Sequence, residues 1–275
     1  MLLTGCSAIR LAYNNAPQFA WWWLDGYMDF SAEHSPRVKE ALEQWFSWHR
    51  QTQLADYANW LAALEKRVHE PTTGPEVCAL FDQAREKAQP AIDRAMVMAS
   101  DLLPALGLAQ ITHLEQRYAK KNAEFRETTI EVSVDDRRKA RHKRALESAE
   151  RLYGKLGAVQ LKVLDANLAS SPFDAAASLA DRERRQRDIV LTMRRWVAEK
   201  PDRGVLLASI RQLVERNERP ADAAQRATLQ RAAEHNCLAT AELHNSTTHA
   251  QRQAARAQLK QWEVDLRALA AERSP

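Results

Sequence analysis

The sequence predicts an all-α fold, a multi-helix bundle of helical hairpins without a sheet. Three observations predict it. Apolar residues recur at three- and four-residue spacing along nearly the whole chain, which gathers them on single helix faces. The breaks between these stretches carry helix-start and helix-stop residues: Ser, Thr, Asp and Pro on one side, Gly on the other. Only 7 of the 275 residues are glycine, too few for the many tight turns of an all-β chain. The one β-branched cluster, Thr128-Thr129-Ile130 with Val132 and Val134, falls at a helix junction and has no partner strand. No internal repeat of fixed period is present.

Taken in order, Ser35-Pro36 reads as an N-cap followed by proline at the first helical position. Val38, Leu42, Trp45 and Phe46 then share one face. Thr52 either caps a second helix, with Leu54, Tyr57, Trp60, Leu61, Leu64 and Val68 inward, or sits inside one long helix over 36–69. The run Glu70-Pro71-Thr72-Thr73-Gly74-Pro75 is the clearest break. A helix follows through Val77, Leu80, Phe81, Ala84 and Ala88, and Pro90 should kink or end it. Pro104 and Gly107 mark a turn into a helix from Leu108 to about Ile130. Ser133 is the expected cap of the next, with Asp135 and Asp136 in its first turn, where the helix dipole favours anions. That helix should stop near Gly154 and Gly157; a short one follows through Leu161, Leu164 and Leu168. Ser171-Pro172 is expected to open a helix running past Trp196 to Lys200, and Pro201-Asp202 another through Leu206 and Ile210. The stretch from Pro220 to about Arg273 has a polar run at 244–249, which favours a two-helix hairpin over one rod.

The expected organisation is a signal-peptide remnant at 1–5, a tether with Trp-rich helices over 6–70, a linker at 71–75 and a helical bundle over 76–275. Hydrophobic residues make up 45% of the chain and charged residues 28%, ordinary for a folded protein. A net charge of +4 is too mild to argue for nucleic acid, so no nucleic-acid partner is expected. No run of 18 uncharged residues occurs, so a membrane contact must come from lipid or from a surface patch. Cys78 and Cys237 form either a disulfide, in an oxidising compartment, or two separate buried thiols.

Leu3-Thr4-Gly5-Cys6 followed by Ser7 has the form of a bacterial lipobox, in which cleavage precedes a cysteine that carries a diacylglycerol. Cys6 is therefore the expected lipidation site, and the membrane, through that lipid, the first expected partner. Ser7, in place of the Asp that often retains lipoproteins at the inner membrane, points to the outer membrane, facing the periplasm. The block Leu11-Ala12-Tyr13-Asn14-Asn15-Ala16, then Trp21-Trp22-Trp23 and Asp25-Gly26-Tyr27-Met28-Asp29-Phe30, joins Arg151-Leu152-Tyr153-Gly154-Lys155-Leu156 and Ser171-Pro172-Phe173-Asp174. Together these resemble an uncharacterised family of proteobacterial lipoproteins, a domain of unknown function, over most of the chain. The resemblance implies an exported helical lipoprotein and carries no catalytic residues.

Six of the eight tryptophans lie within residues 21–60. Three adjacent residues on a helix point about 100° apart, so Trp21, Trp22 and Trp23 cannot share one core. With Asp25, Tyr27, Asp29 and Phe30 they make a candidate contact surface, for a membrane interface or for neighbouring helices. Asp25 and Asp29, four apart, have no nearby His and no third ligand in sequence, so capping or ion pairing is the expected role. Arg137, Arg138, Lys139, Arg141, Lys143 and Arg144 form a candidate basic patch for anionic headgroups or an acidic partner; a solvated face paired to Asp135, Asp136 and Glu147 is the plainer reading. His235, Cys237, His244 and His249 come closest to metal-ligand spacing but lack the tight pairs of a zinc site, and no cofactor or metal is expected. No nucleophile-elbow, P-loop or dinucleotide motif is present. The expected function is non-catalytic: binding or scaffolding another envelope component. The rivals are a steric chaperone resembling the lipase foldases in architecture alone, an enzyme acting on envelope polymers, and a cytosolic helical protein should the lipobox be accidental.

Overall fold

The computed structural model describes residues 8–272; Cys6 lies outside them. The described residues form twelve α-helices and no strand. In order these are α1 (Ala8–Asn14), α2 (Ala16–Met28), α3 (His34–Thr52), α4 (Leu54–Arg67), α5 (Gly74–Leu102), α6 (Leu108–Phe125), α7 (Val134–Tyr153), α8 (Ala158–Ala169), α9 (Ala175–Glu199), α10 (Arg203–Glu218), α11 (Ala223–Ser246) and α12 (His249–Ala271). The all-α expectation holds.

Most ends follow from local chemistry. The Ser133 hydroxyl accepts from the Asp136 amide at 3.1 Å and starts α7. Gly154, at φ 70°, ends it in a conformation that a Cβ disfavours. Asp202 caps α10 through the Val205 amide at 3.0 Å. Thr248 and Gln251 cap α12 reciprocally, which turns the stretch after Pro220 into the expected hairpin.

Four local expectations change. Ser31, not Ser35, receives the first amide of α3, from His34 at 3.3 Å, so the helix starts two residues ahead of Pro36. The break after α3 is a single turn at Gln53, and Thr52 is the last residue of α3 rather than a cap. Pro90 does not end α5; a lost i→i−4 bond is tolerated with three turns on either side. The β-branched Thr128-Thr129-Ile130 lies at the expected helix junction without a strand, in a π turn, Arg126–Ile130, closed by the Glu131 amide on the Arg126 carbonyl at 2.8 Å. Asp174 caps α9, accepting from Ala177 at 3.0 Å, so Ser171-Pro172 precedes the helix rather than opening it.

The helices assemble into two compact units, each built from three stretches of chain. The first comprises the N-terminal residues through Arg50, Gln89–Glu131 and Asp174–Ala223; the second comprises Gln51–Ala88, Val132–Phe173 and Ala224–Pro275. This division differs from the expected one, because residues 71–75 are a corner inside the second unit. The chain instead changes units beside the Gln53 break and beside Pro90.

In the first unit Trp21, Val38 and Leu42 pack together; Ile111, Leu114, Val190 and Met193 join α6 to α9; and Met96, Leu206 and Ile210 join α5 to α10. In the second unit α12 lies along α4, with Ala58 and Ala255 fully buried, while Val68, Tyr153, Leu156 and Leu259 form its core. Arg256 pairs with Glu65 at 2.9 Å beside that core. Cys78 on α5 and Cys237 on α11 are disulfide-bonded, with Cα atoms 5.3 Å apart, which resolves the alternative in favour of the bond.

Candidate functional site

The tryptophan triplet divides as the 100° step requires. Trp21 is 8% exposed, stacked on Phe30 with ring centroids 5.5 Å apart, and Lys39 Nζ lies 4.6 Å over its ring. Trp22 and Trp23 are 58% and 63% exposed. Phe19 lies three and four residues ahead of them and is also exposed, its ring 5.8 Å from Trp22. Leu11 on α1 is exposed too. Phe19, Trp22 and Trp23 thus share one helix face open to solvent. The sequence reading missed Phe19 and Leu11, although the 19/22/23 spacing carries the signal. Tyr27 is partly buried between Trp23, at 4.9 Å, and Tyr118, at 6.1 Å, with the Arg117 guanidinium 5.5 Å from its ring. Phe30 is half-buried and packs against the core of Trp21, Val38 and Leu42.

Asp25 and Asp29 act at the end of α2. Asp25 Oδ1 accepts from the Phe30 amide at 3.1 Å. Asp29 takes the left-handed conformation at φ 48°, and its carbonyl accepts from Gln110 Nε2 at 3.3 Å. The expectation of no nearby histidine is overturned, since α6 brings His113 Nδ1 to 4.0 Å from the Asp29 carboxylate. Sequence could not show this contact, because it joins residues 84 positions apart. No group of three His, Cys, Asp or Glu able to hold a metal exists among the described residues. Of the four residues nearest to metal-ligand spacing, Cys237 is spent in the disulfide. His244 uses Nδ1 on the Tyr153 hydroxyl, at 2.9 Å, and Nε2 on the Glu70 carbonyl, at 2.9 Å.

A half-buried histidine gives the first unit a pH dependence. His49 stacks on Trp45 at 4.8 Å, and its Nδ1 lies 2.8 Å from the Tyr13 hydroxyl. Burial pushes the ring down to about 4 from an ordinary value of 6.5. The unfolded chain then binds a proton that the fold refuses, so the contribution to stability is whole above pH 6.5 and is lost as pH falls towards 4. The thermal stability of the first unit should fall across that window as pH is lowered, and His49→Gln should flatten the slope; an unchanged slope would contradict the assignment.

The basic helix α7 is not uniform. Arg138, Lys139 and Lys143 face Asp135, Asp136 and Glu147 at 3.8–3.9 Å, all well exposed, and such pairs contribute little. Arg137 donates to the Val132 carbonyl at 3.4 Å. Arg141 and Arg144 instead line a concavity with Phe173.

In the first unit a groove of about 610 Å³ runs between α6 and α9, with Tyr118, Val190 and Leu191 among its lining residues. An Arg126–Glu183 pair and an Arg194–Glu115 pair at 2.6 Å also border it. Asn122, 6% exposed, donates to Gln186 Oε1 at 2.7 Å, while its own side-chain amide oxygen has no donor. A buried acceptor left unpaired costs roughly 1–3 kcal/mol.

Fold and surface define a class: an all-α protein of two compact helical units, one of which carries an exposed aromatic face at its N-terminal end. The chain belongs to the family of unknown function DUF6279, whose model matches residues 26–219. The matched stretch begins within α2, just past the tryptophan triplet, and ends ahead of α11. No curated protein and no solved structure matches the chain.

Proposed function

We propose that this chain is a non-catalytic envelope lipoprotein, anchored through acyl chains on Cys6 at the periplasmic face of the outer membrane, that holds another envelope component on its helical surface. The observation that carries the reading is the exposed face of Phe19, Trp22 and Trp23, which follows the Leu-Thr-Gly-Cys motif within twenty residues. Indole rings settle favourably at a membrane interface, where they would add to the anchoring that the two acyl chains of a Cys6 diacylglycerol supply. No single described helix is long and apolar enough to cross a membrane, so on this reading lipid and aromatic face act together. The Cys78–Cys237 bond fits an oxidising compartment such as the periplasm. The groove between α6 and α9, with its unpaired Asn122 side-chain amide oxygen, is a second surface suited to a partner.

Expression from the native locus, with the upstream sequence it encodes, tests the anchor. The wild-type protein should sediment with membranes and be released only by detergent, and Cys6→Ala should move it to the soluble fraction. A wild-type protein recovered in the cytosol would sink the proposal.

A further inference from the structure

Six basic side chains lie along one stretch of α7, and the structure sorts them: Arg137 donates to the Val132 carbonyl at the start of the helix. Arg138, Lys139 and Lys143 each have a carboxylate on their own helix. Arg141 and Arg144, one turn apart, have none within ion-pair distance among the described residues. Both line a concavity of about 460 Å³ in the second unit, together with Leu168, Ser171, Phe173 and Asn236. The Arg141 guanidinium sits 5.2 Å over the Phe173 ring, which stays 44% exposed. Burial, with Arg144 beside it, pulls the Arg141 guanidinium below its ordinary range. Two like charges held together without a counter-charge are destabilising until an anion joins them.

From this arrangement we infer that Arg141, Arg144 and Phe173 form a binding site for a phosphorylated amphiphile, the phosphate on the two guanidiniums and an apolar substituent against Phe173 and Leu168. One arginine can satisfy both oxygens of a carboxylate in bidentate fashion; two arginines on successive turns suit a tetrahedral group with more acceptor oxygens. Ser171 and Asn236, whose side chains can donate hydrogen bonds, are also among the lining residues. The apolar wall beside the charge asks for a ligand with both characters, such as a phospholipid or an aryl phosphate, rather than free phosphate. This site is independent of the Cys6 anchor.

Calorimetric titration of the full chain tests it, with dihexanoyl phosphatidic acid kept monomeric, dihexanoyl phosphatidylcholine and inorganic phosphate as probes. Phosphatidic acid should bind saturably and at least tenfold more tightly than either of the others. R141Q/R144Q should weaken it by at least tenfold, and F173A should weaken the lipid but not inorganic phosphate. R138Q/K139Q removes the same charge from the paired face of the helix and should leave binding unchanged. Equal losses in the two double variants would reduce the effect to net charge and overturn the site. Phosphatidylcholine binding as tightly as phosphatidic acid would overturn the anion requirement, and inorganic phosphate matching the lipid would overturn the apolar wall.

Discussion

Replacing Cys78 and Cys237 together with serine lowers the stability of the second unit by about 4–5 kcal/mol, a large fraction of the total for an ordinary domain. The bond links residues 159 positions apart, so its loss frees a long loop in the unfolded chain; on the chain-entropy model a loop of that length is worth about 5 kcal/mol at most, because residues 89–131 and 174–223 within it belong to the first unit. Packing adds to this. Cys237 is 2% exposed among Val77 and Ala241, and a Cβ on Gly74 would meet the Leu238 backbone at 3.4 Å, so α5 and α11 lie close beside the bridge. A serine hydroxyl at Cys237 would be buried there without an assured partner. Amide hydrogen exchange locates the effect: protection should fall in α11 and α12, whereas α9 and α10, in the first unit, keep theirs. Reduction with a thiol should reproduce the result. Equal loss in both units, or none, would contradict it.

Trp22→Ser/Trp23→Ser should weaken the binding of the non-acylated chain to phospholipid vesicles on the order of 100-fold or more. A tryptophan side chain offers roughly 150–250 Å² for burial. About three-fifths of each of these residues is exposed. At roughly 25 cal/mol per Å², docking that surface contributes about 2–4 kcal/mol per ring as an upper bound. Trp21→Ser serves as the contrast, since Trp21 fills the core beside Val38 and Leu42 and its loss should lower stability instead. Co-sedimentation with vesicles, beside a thermal melt of each variant, separates the two effects. Unchanged vesicle binding in the double variant would remove the aromatic face from the membrane reading.

Much of this architecture was legible because it rests on local rules. The Ser133 cap, the helix restart at Pro201-Asp202, the Gly154 stop and the hairpin after Pro220 each depend on residues within four positions of one another. Where two capping residues competed, sequence chose wrongly: Ser31 and Asp174 start α3 and α9 in place of Ser35 and Ser171. The two-unit division was not legible. It arises from packing between helices far apart in the chain, such as α4 with α12, and no change in composition marks Gln53 or Pro90. At the surface, the divergence of Trp21 from Trp22 and Trp23 followed from helix geometry, whereas the approach of His113 to Asp29 depends on tertiary packing. The pairing of α7 was half readable. Acids at 135, 136 and 147 sit three or four positions from Arg138, Lys139 and Lys143, but the meeting of Arg141 with Phe173 needs the fold.

The intact mass of the mature protein, expressed from its own locus with its upstream sequence and extracted from membranes, tests the central proposal most directly. The expected mass is that of a chain beginning at Cys6 and carrying a diacylglycerol. An unmodified chain that retains the residues ahead of Cys6 and partitions with the cytosol would contradict the lipoprotein assignment, and would place Cys78 and Cys237 in a compartment where their bond does not persist.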